Sequence, residues 1–316
     1  MADKHEAAQI RAADPAGIAA AATLLRDGGL VALPTETVYG LAARADCAEA
    51  VAAIYRAKGR PDFNPLIVHV PSTEAAQNLA EFDDRAKALA AAFWPGALTL
   101  VVPLRADAAI VPAVTAGLPT IALRCPAHPV MRAVLAATGL PLAAPSANRS
   151  GGVSPTRAGH VAASLGPAVG LILDGGSCAA GLESTIVALR DDGRWQILRH
   201  GPIVEAQISA VLGSKPDVVT SAAIEAPGQL ASHYAPGKPM RLNAASAGAD
   251  EFLIGFGPVV GDVSLSPSGD LAEAAAGLYA ALHAGAASSK PRIAVAAIPD
   301  TEIGAAINDR LRRAAA

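Results

Sequence analysis

Cysteine is scarce in this chain: Cys47, Cys125 and Cys178 are the only three, with no Cys-x-x-Cys spacing and no paired histidine nearby. That excludes a disulfide framework and the usual zinc arrangements, and it fits reduced thiols in a cytoplasmic protein. Aromatic residues make up 3% and charged residues 17%, against 52% hydrophobic. The core therefore has to be built from alanine and aliphatic side chains in tight helix packing, and disorder over most of the chain is excluded. A formal charge of -3 argues against a protein whose main task is coating nucleic acid, which needs a basic surface. No stretch reaches the roughly 18 uninterrupted apolar residues of a membrane span. Met1-Ala2-Asp3-Lys4-His5-Glu6 lacks the basic-then-apolar order of a secretory signal, so a cytosolic protein with no membrane attachment is expected. The Walker phosphate loop, a GxGxxG after a strand and HExxH are all missing as well. None of these absences excludes a small anionic ligand.

What is present is a regular alternation of short apolar runs with helical patterns. The 316 residues exceed one average domain, so one large and one smaller domain are expected. Ile18, Ala21, Ala22 and Leu25 have helical spacing that stops at Gly28-Gly29. The strand-like Leu30 to Leu33 follows, closed by Pro34, which puts Thr35 to Gly40 on a loop at a strand's carboxyl end, where ligands of open α/β sheets sit. Further strands are expected at 66–70, 98–102, 120–124, 141–144, 169–173, 184–189 and 195–199, with helices at 47–57, 74–92 and 128–137. Residues 211–240 read as a linker. Beyond it, apolar runs at 252–256 and 292–298 flank a helical 270–285, and a last helix spans about 303–314. The class is α/β.

Two polar stretches stand out on this frame: Lys58-Gly59-Arg60-Pro61 with Asn64-Pro65, and Ala144-Pro145-Ser146-Ala147-Asn148-Arg149-Ser150-Gly151. Two cations with a serine and an asparagine, on backbone stiffened by proline or loosened by glycine, suit a polyphosphate. The plain alternative for Lys58 and Arg60 is a solvated helix end complementing the dipole. Ser146 has neither a general base nor a GxSxG elbow beside it, so a nucleophile is not expected there. Ser154-Pro155-Thr156 reads as a helix start, which is also a place where phosphates bind. Arg124 closes a strand, and its guanidinium suits a carboxylate, a ligand's or a structural partner's. His69 lies in an apolar strand, where a core histidine is the ordinary outcome. Gly181-Leu182-Glu183-Ser184-Thr185 is either a turn or two hydroxyls at a strand mouth. Ser232-His233-Tyr234-Ala235-Pro236 is too distinctive for filler and is a candidate lid.

With these residues assembled, the chain resembles the Sua5/YrdC family of threonylcarbamoyl-AMP synthases, specifically the longer two-domain Sua5 type. Pro34 to Leu41, Lys58-x-Arg60-Pro61, Asn64 to His69, Trp94-Pro95-Gly96, Ala144 to Asn148, Ser154 to Thr156 and Gly181 to Thr185 carry the resemblance, in order and over essentially the whole chain. It implies an open twisted mixed sheet with a concave, positively lined cavity over residues 1–208, a linker or lid at 209–240, and a small Rossmann-like α/β domain at 241–316. It implies a reaction in which L-threonine, bicarbonate and ATP, with Mg2+, give threonylcarbamoyl-AMP and diphosphate. The product would pass to a downstream threonylcarbamoyl transferase complex that modifies adenosine 37 of tRNA; direct tRNA binding is left open. Lys58 and Arg60 would be catalytic. They would bind the nucleotide together with Ser146, Asn148, Ser154, Arg199 and Tyr234, while Thr35, His69, Arg124 and Ser184 would bind threonine. Gln229-Leu230-Ala231-Ser232 departs from the basic residues usual before His233, and His200 stands where the family commonly has proline. The competing readings are a noncatalytic double-stranded RNA-binding module, and carbamoyl transfer of the hydrogenase-maturation kind, whose acylphosphatase and zinc-finger modules are not visible here.

Overall fold

A computed structural model describes residues 9–218, 224–229 and 233–316. Ten strands form one open sheet: β1 (Gln9–Ala12), β2 (Val31–Leu33), β3 (Gly40–Arg44), β4 (Ile67–His69), β5 (Leu98–Pro103), β6 (Thr120–Arg124), β7 (Leu142–Ala143), β8 (Leu171–Asp174), β9 (Thr185–Leu189) and β10 (Trp195–Arg199). Their order across the sheet is β1-β8-β2-β3-β7-β4-β6-β5-β9-β10, and parallel and antiparallel pairs are mixed. The central strands are buried on both faces, which is why they read as unbroken apolar runs and not as alternations. Among the described residues eight α-helices accompany the sheet: α1 (Pro15–Arg26), α2 (Ala48–Lys58), α3 (Thr73–Gln77), α4 (Asp84–Phe93), α5 (Pro112–Thr115), α6 (Pro129–Thr138), α7 (Ala158–Leu165) and α8 (Glu205–Leu212).

A second sheet of four short parallel strands follows: β11 (Met240–Arg241), β12 (Glu251–Gly255), β13 (Val263–Ser264) and β14 (Arg292–Val295), in the order β11-β14-β12-β13. It carries α9 (Leu271–Ala287) and α10 (Ile303–Ala314). This is a parallel α/β unit. Its apolar core is continuous with the large sheet's side: Val38, Val153, Leu182 and Tyr234 are buried in one cluster with Leu278, Tyr279, Leu282 and Ile307. Gly181 permits the approach, because it has φ +67° and a Cβ there would lie 2.5 Å from the Ala276 Cα on α9. Among the described residues no helix is long and apolar enough to cross a membrane.

Three expectations need correction. The single helix over 74–92 is two helices, because Asp83 leaves helical geometry and its side chain accepts from the Ala86 N–H at 2.8 Å, capping α4. Gly40, expected at the end of a loop, instead opens strand β3, which is not expected over 41–44 and which hydrogen-bonds β2 and β7. Helix α8 occupies the start of the span assigned to linker, and residues 219–223 and 230–232 of that span lie outside the described residues, including Leu230, Ala231 and Ser232 of the segment before His233.

Candidate active site

The site grows from strand ends. Pro34 stops β2, and Thr35 then folds the chain back on itself: its Oγ1 donates to the Val38 carbonyl at 2.7 Å and accepts from the N–H groups of Thr37 and Val38 at 3.2 Å each. That turn presents Glu36 and Thr37 to Arg124. In the ladder between β4 and β6, His69 lies directly opposite Arg124, so two residues far apart in sequence become neighbours through strand pairing. Arg124 is 3% exposed. Its Nη2 meets Glu36 Oε1 at 2.6 Å, Nη1 donates to Thr37 Oγ1 at 2.8 Å, and Nε donates to the Gly96 carbonyl at 3.1 Å. The other Glu36 oxygen accepts from the Ala127 and His128 N–H groups. Burial works to raise the Glu36 pKa, but the charge and hydrogen bond of Arg124 outweigh it and hold the carboxyl below its ordinary value. His69 is neutral: burial, with Arg124 beside it, pulls it down to about 3, and its Nδ1 has no hydrogen-bond partner.

A second wall comes from the end of α2. The helix stops at Gly59 in the left-handed conformation, φ 59°. Lys58 is only 3% exposed, which rules out the solvated helix end, and its ammonium donates to the carbonyls of Ser146 and Asn148 at 2.6 Å each. Arg60 donates to the carbonyls of Asn64 and Pro65 at 3.2 and 2.9 Å. Burial, then the Arg60 charge, pushes Lys58 well below its usual value, and burial brings Arg60 down to about 10. Asn148 staples its own turn, its Nδ2 donating to the carbonyls of Arg149 and Gly152 at 2.8 Å, and its Oδ1 is buried without a partner.

The third wall is the mouth of β9. Ser184 Oγ shares a hydrogen bond of 2.7 Å with Thr99 Oγ1 and accepts from Arg199 Nη2 at 3.1 Å, while Arg199 Nε donates to the Ser184 carbonyl. Gly228 has φ +88°, and a Cβ there would meet the Arg199 side chain at 2.9 Å, so only glycine lets that segment close over the guanidinium. Glu183, one residue before Ser184, accepts from Ser154 Oγ at 2.5 Å, from Tyr279 Oη at 2.7 Å and from Arg310 Nε at 2.9 Å. Burial alone would raise its pKa; the charges of Arg310 and Arg199 and the two hydroxyls hold it down at about 2. Tyr234 is 1% exposed, with the Arg310 guanidinium 5.3 Å from its ring centre.

These walls line one partly open cavity. Of the residues expected from sequence, Thr35, Arg60, His69, Arg124, Ser146, Ser184, Arg199 and Tyr234 line it; Lys58, Asn148 and Ser154 do not, although all three hold groups that do. Ser154 spends its proton on Glu183 and Asn148 spends both N–H groups on its turn, so neither has a free donor for a phosphate oxygen. Glu36, Thr37 and Glu183 were not singled out from sequence. The available signal was the lone acid set among hydroxyls and glycine in Thr35-Glu36-Thr37 and Gly181-Leu182-Glu183-Ser184.

Comparisons with known proteins place the whole chain in one family. The family model described as "Telomere recombination" (Sua5, yciO, yrdC) matches residues 23–201, and that described as "Threonylcarbamoyl-AMP synthase, C-terminal domain" matches residues 203–316. A threonylcarbamoyl-AMP synthase of Bacillus subtilis is 42% identical over 94% of this chain and 92% of its own length. One from Pyrococcus abyssi is 44% identical over 68% of this chain and 64% of its own length. The crystal structure of P. abyssi Sua5 complexed with L-threonine superposes with a TM-score of 0.87 at 34% identity, covering 97% of this chain and 96% of that one. The chain belongs to the two-domain Sua5 family.

Proposed function

We propose that this protein is an L-threonylcarbamoyladenylate synthase, joining L-threonine, bicarbonate and ATP into threonylcarbamoyl-AMP with release of diphosphate and water. The observation that carries the reading is one cavity with two kinds of wall, one cationic without carboxylate partners and one whose two carboxylates are each paired with an arginine, in the fold of a relative whose structure holds L-threonine. Arg124 receives the threonine carboxylate through the N–H groups that Glu36, Thr37 and Gly96 leave free. His69, Thr35 and Ser184 surround the hydroxyl and amine. The neutral amine adds to the carbon of bicarbonate, with loss of water, or to carbon dioxide formed from it by loss of hydroxide, with release of a proton, and gives a carbamate. A carbamate oxygen then attacks the α-phosphorus, and the bond to the β-phosphate oxygen breaks, its electron pair leaving with diphosphate.

No covalent enzyme intermediate is needed, so the protein contributes positioning and charge. Arg60, Ser146, Arg199 and Tyr234 contact the nucleotide. Lys58 sets the 146–148 carbonyls and supplies positive charge behind them, and Asn148 and Ser154 fix the shape of their loops. ATP enters as its Mg2+ complex. Glu36 and Glu183 are each committed to an arginine, and among the described residues no cluster of three or more His, Cys, Asp or Glu gathers. Magnesium would be carried in on the phosphate oxygens of ATP and would screen the charge of the leaving diphosphate. The product serves threonylcarbamoylation of adenosine 37 in tRNA, in the cytoplasm, through a downstream transferase complex.

The test is diphosphate release from ATP, Mg2+ and bicarbonate with threonine, with valine and with neither, the adenylate being sought by mass spectrometry. Threonine-dependent release with that product is expected. Valine should trail by several kcal/mol, because hydrogen-bonding groups built for a hydroxyl would be left unpaired. Equal release with valine removes the hydroxyl-reading site, and no release at all, with tight salt-sensitive RNA binding instead, overturns the synthase.

A further inference from the structure

We infer that Arg310, on the last helix of the C-terminal unit, is a positioning residue of the active site, holding Ser184 and Arg199 in register through the two residues beside them. Arg310 is fully buried, at 0% exposure, although it lies in the basic stretch Arg310-Leu311-Arg312-Arg313. Its guanidinium spans two separate segments of the large domain. Nε donates to Glu183 Oε2 at 2.9 Å, and Nη2 donates to the His200 carbonyl at 2.8 Å. Glu183 precedes Ser184 and His200 follows Arg199, and Arg199 itself binds Ser184 twice, at its carbonyl and its hydroxyl. Arg310 thus closes a ring, from Glu183 through Ser184 and Arg199 to His200 and back.

The planar fork matters. Two donors at a fixed spacing set the distance between the β9 mouth and the end of β10, which a single flexible ammonium does not do. Tyr279 of α9 completes the hold, because its hydroxyl donates to the same Glu183 oxygen, and Ser154 takes the other oxygen. The C-terminal unit therefore contributes two polar groups, Arg310 and Tyr279, that reach a residue of the cavity wall.

The inference rests on the assignment of Ser184 to threonine and Arg199 to the nucleotide. Its test compares Arg310→Lys, Arg310→Met and the double variant Glu183→Gln/Arg310→Met in threonine-dependent diphosphate release and in thermal melting. Arg310→Met alone leaves a buried carboxylate without its cation and is expected to fold poorly. The double variant removes both charges of the Glu183 and Arg310 pair at similar volume, and Asp309, which Arg310 also meets at 2.8 Å, keeps its pairing with Arg313, so the melting temperature should stay near wild type. Its threonine KM should rise roughly tenfold or more and its ATP KM less, with kcat within about threefold, the signature of lost ground-state positioning. Arg310→Lys, keeping the charge without the fork, should raise the threonine KM by about threefold to tenfold. A merely structural role predicts the opposite split: fewer active molecules, hence a lower apparent kcat, with both KM values unchanged. That result in the two folded variants overturns the inference while leaving the synthase reading intact, whereas a wild-type protein without threonine-dependent release overturns both.

Discussion

The two sides of the cavity handle charge in opposite ways. On the side of α2, Lys58 is bound to carbonyl oxygens and Arg60 to carbonyl oxygens and the Tyr55 hydroxyl, and among the described residues neither forms an ion pair with a carboxylate. On the side of β6 and β9, each acid is locked to an arginine, Glu36 to Arg124 at 2.6 Å and Glu183 to Arg310 at 2.9 Å. Carbonyl dipoles orient a cation but leave its charge uncancelled, so the first wall has paid for desolvation without receiving an anion. The depressed pKa values of Lys58 and Arg60 record that cost, and an incoming polyphosphate relieves it. In the second wall both carboxylates are matched by arginines, and Arg199, held by Ser184 and Pro227 oxygens, keeps its charge beside them, so this side selects more by hydrogen-bond geometry. A polyanion and a zwitterion are the ligands that such a pair of walls suits.

The largest effect should follow from discharging the first wall. Lys58→Met keeps the length and apolar stem of the side chain but removes both the charge and the two hydrogen bonds that hold the Ser146 and Asn148 carbonyls. Turnover should fall roughly 10²-fold or more, as when one preorganised electrostatic contact to a transition state is lost. Steady-state diphosphate release at saturating threonine measures it. Near-wild-type turnover would break the comparison, because it would mean that an uncompensated cation in this wall does nothing for the phosphates.

How much of this was readable beforehand differs between fold and site for a physical reason. Long apolar runs such as Leu98 to Val102 announce buried strands, and Gly28, Gly59 and Gly139 announce helix ends, because those signals are local. Strand β1 gave no signal, since all four of its residues are exposed and its place in the sheet comes from pairing with β8. The polar residue types of the site were legible, but their partners were not. Arg124 showed a guanidinium at a strand end, yet whether it met a ligand or an acid depended on a loop 88 positions away in sequence. Arg310 was the exception that could have been found: Ile307, Leu311 and Ala314 mark one buried face of α10, and position 310 falls on it. Its charge argued for the surface and its spacing for the core, and the buried acid at Glu183 decides in favour of the core.

An intermediate effect should come from the second wall. Glu36 uses both carboxylate oxygens, one on Arg124 and the other on the Ala127 and His128 N–H groups at the start of α6. Glu36→Gln has only one acceptor oxygen, so either the guanidinium or the helix start must let go. The threonine KM should rise about tenfold, within the range of one charge-assisted hydrogen bond, and the ATP KM should stay within about twofold. Equal movement of both constants would show that the walls are not separable and would merge them into one electrostatic unit.

The smallest effect concerns stability and sharpens the same contrast through pH. Glu183 has a folded pKa of about 2 against an ordinary 4.5, and Glu36 is also lowered. As pH falls below about 4.5 the unfolded chain takes up these protons first, so the unfolded state gains and the folded state loses. The contribution of Glu183 is thus fully present above about pH 4.5 and disappears progressively toward pH 2. In Glu183→Gln/Arg310→Met no carboxylate remains at this position to titrate. Thermal melts at pH 6 and pH 3.5 should therefore show wild type losing a few degrees more than the double variant, a shift equivalent to about 1 kcal/mol or somewhat more in a chain of this size. Identical losses would place the acid-sensitive carboxylates elsewhere and would remove Glu183 from the second wall as a thermodynamic element, even if its hydrogen bonds remain.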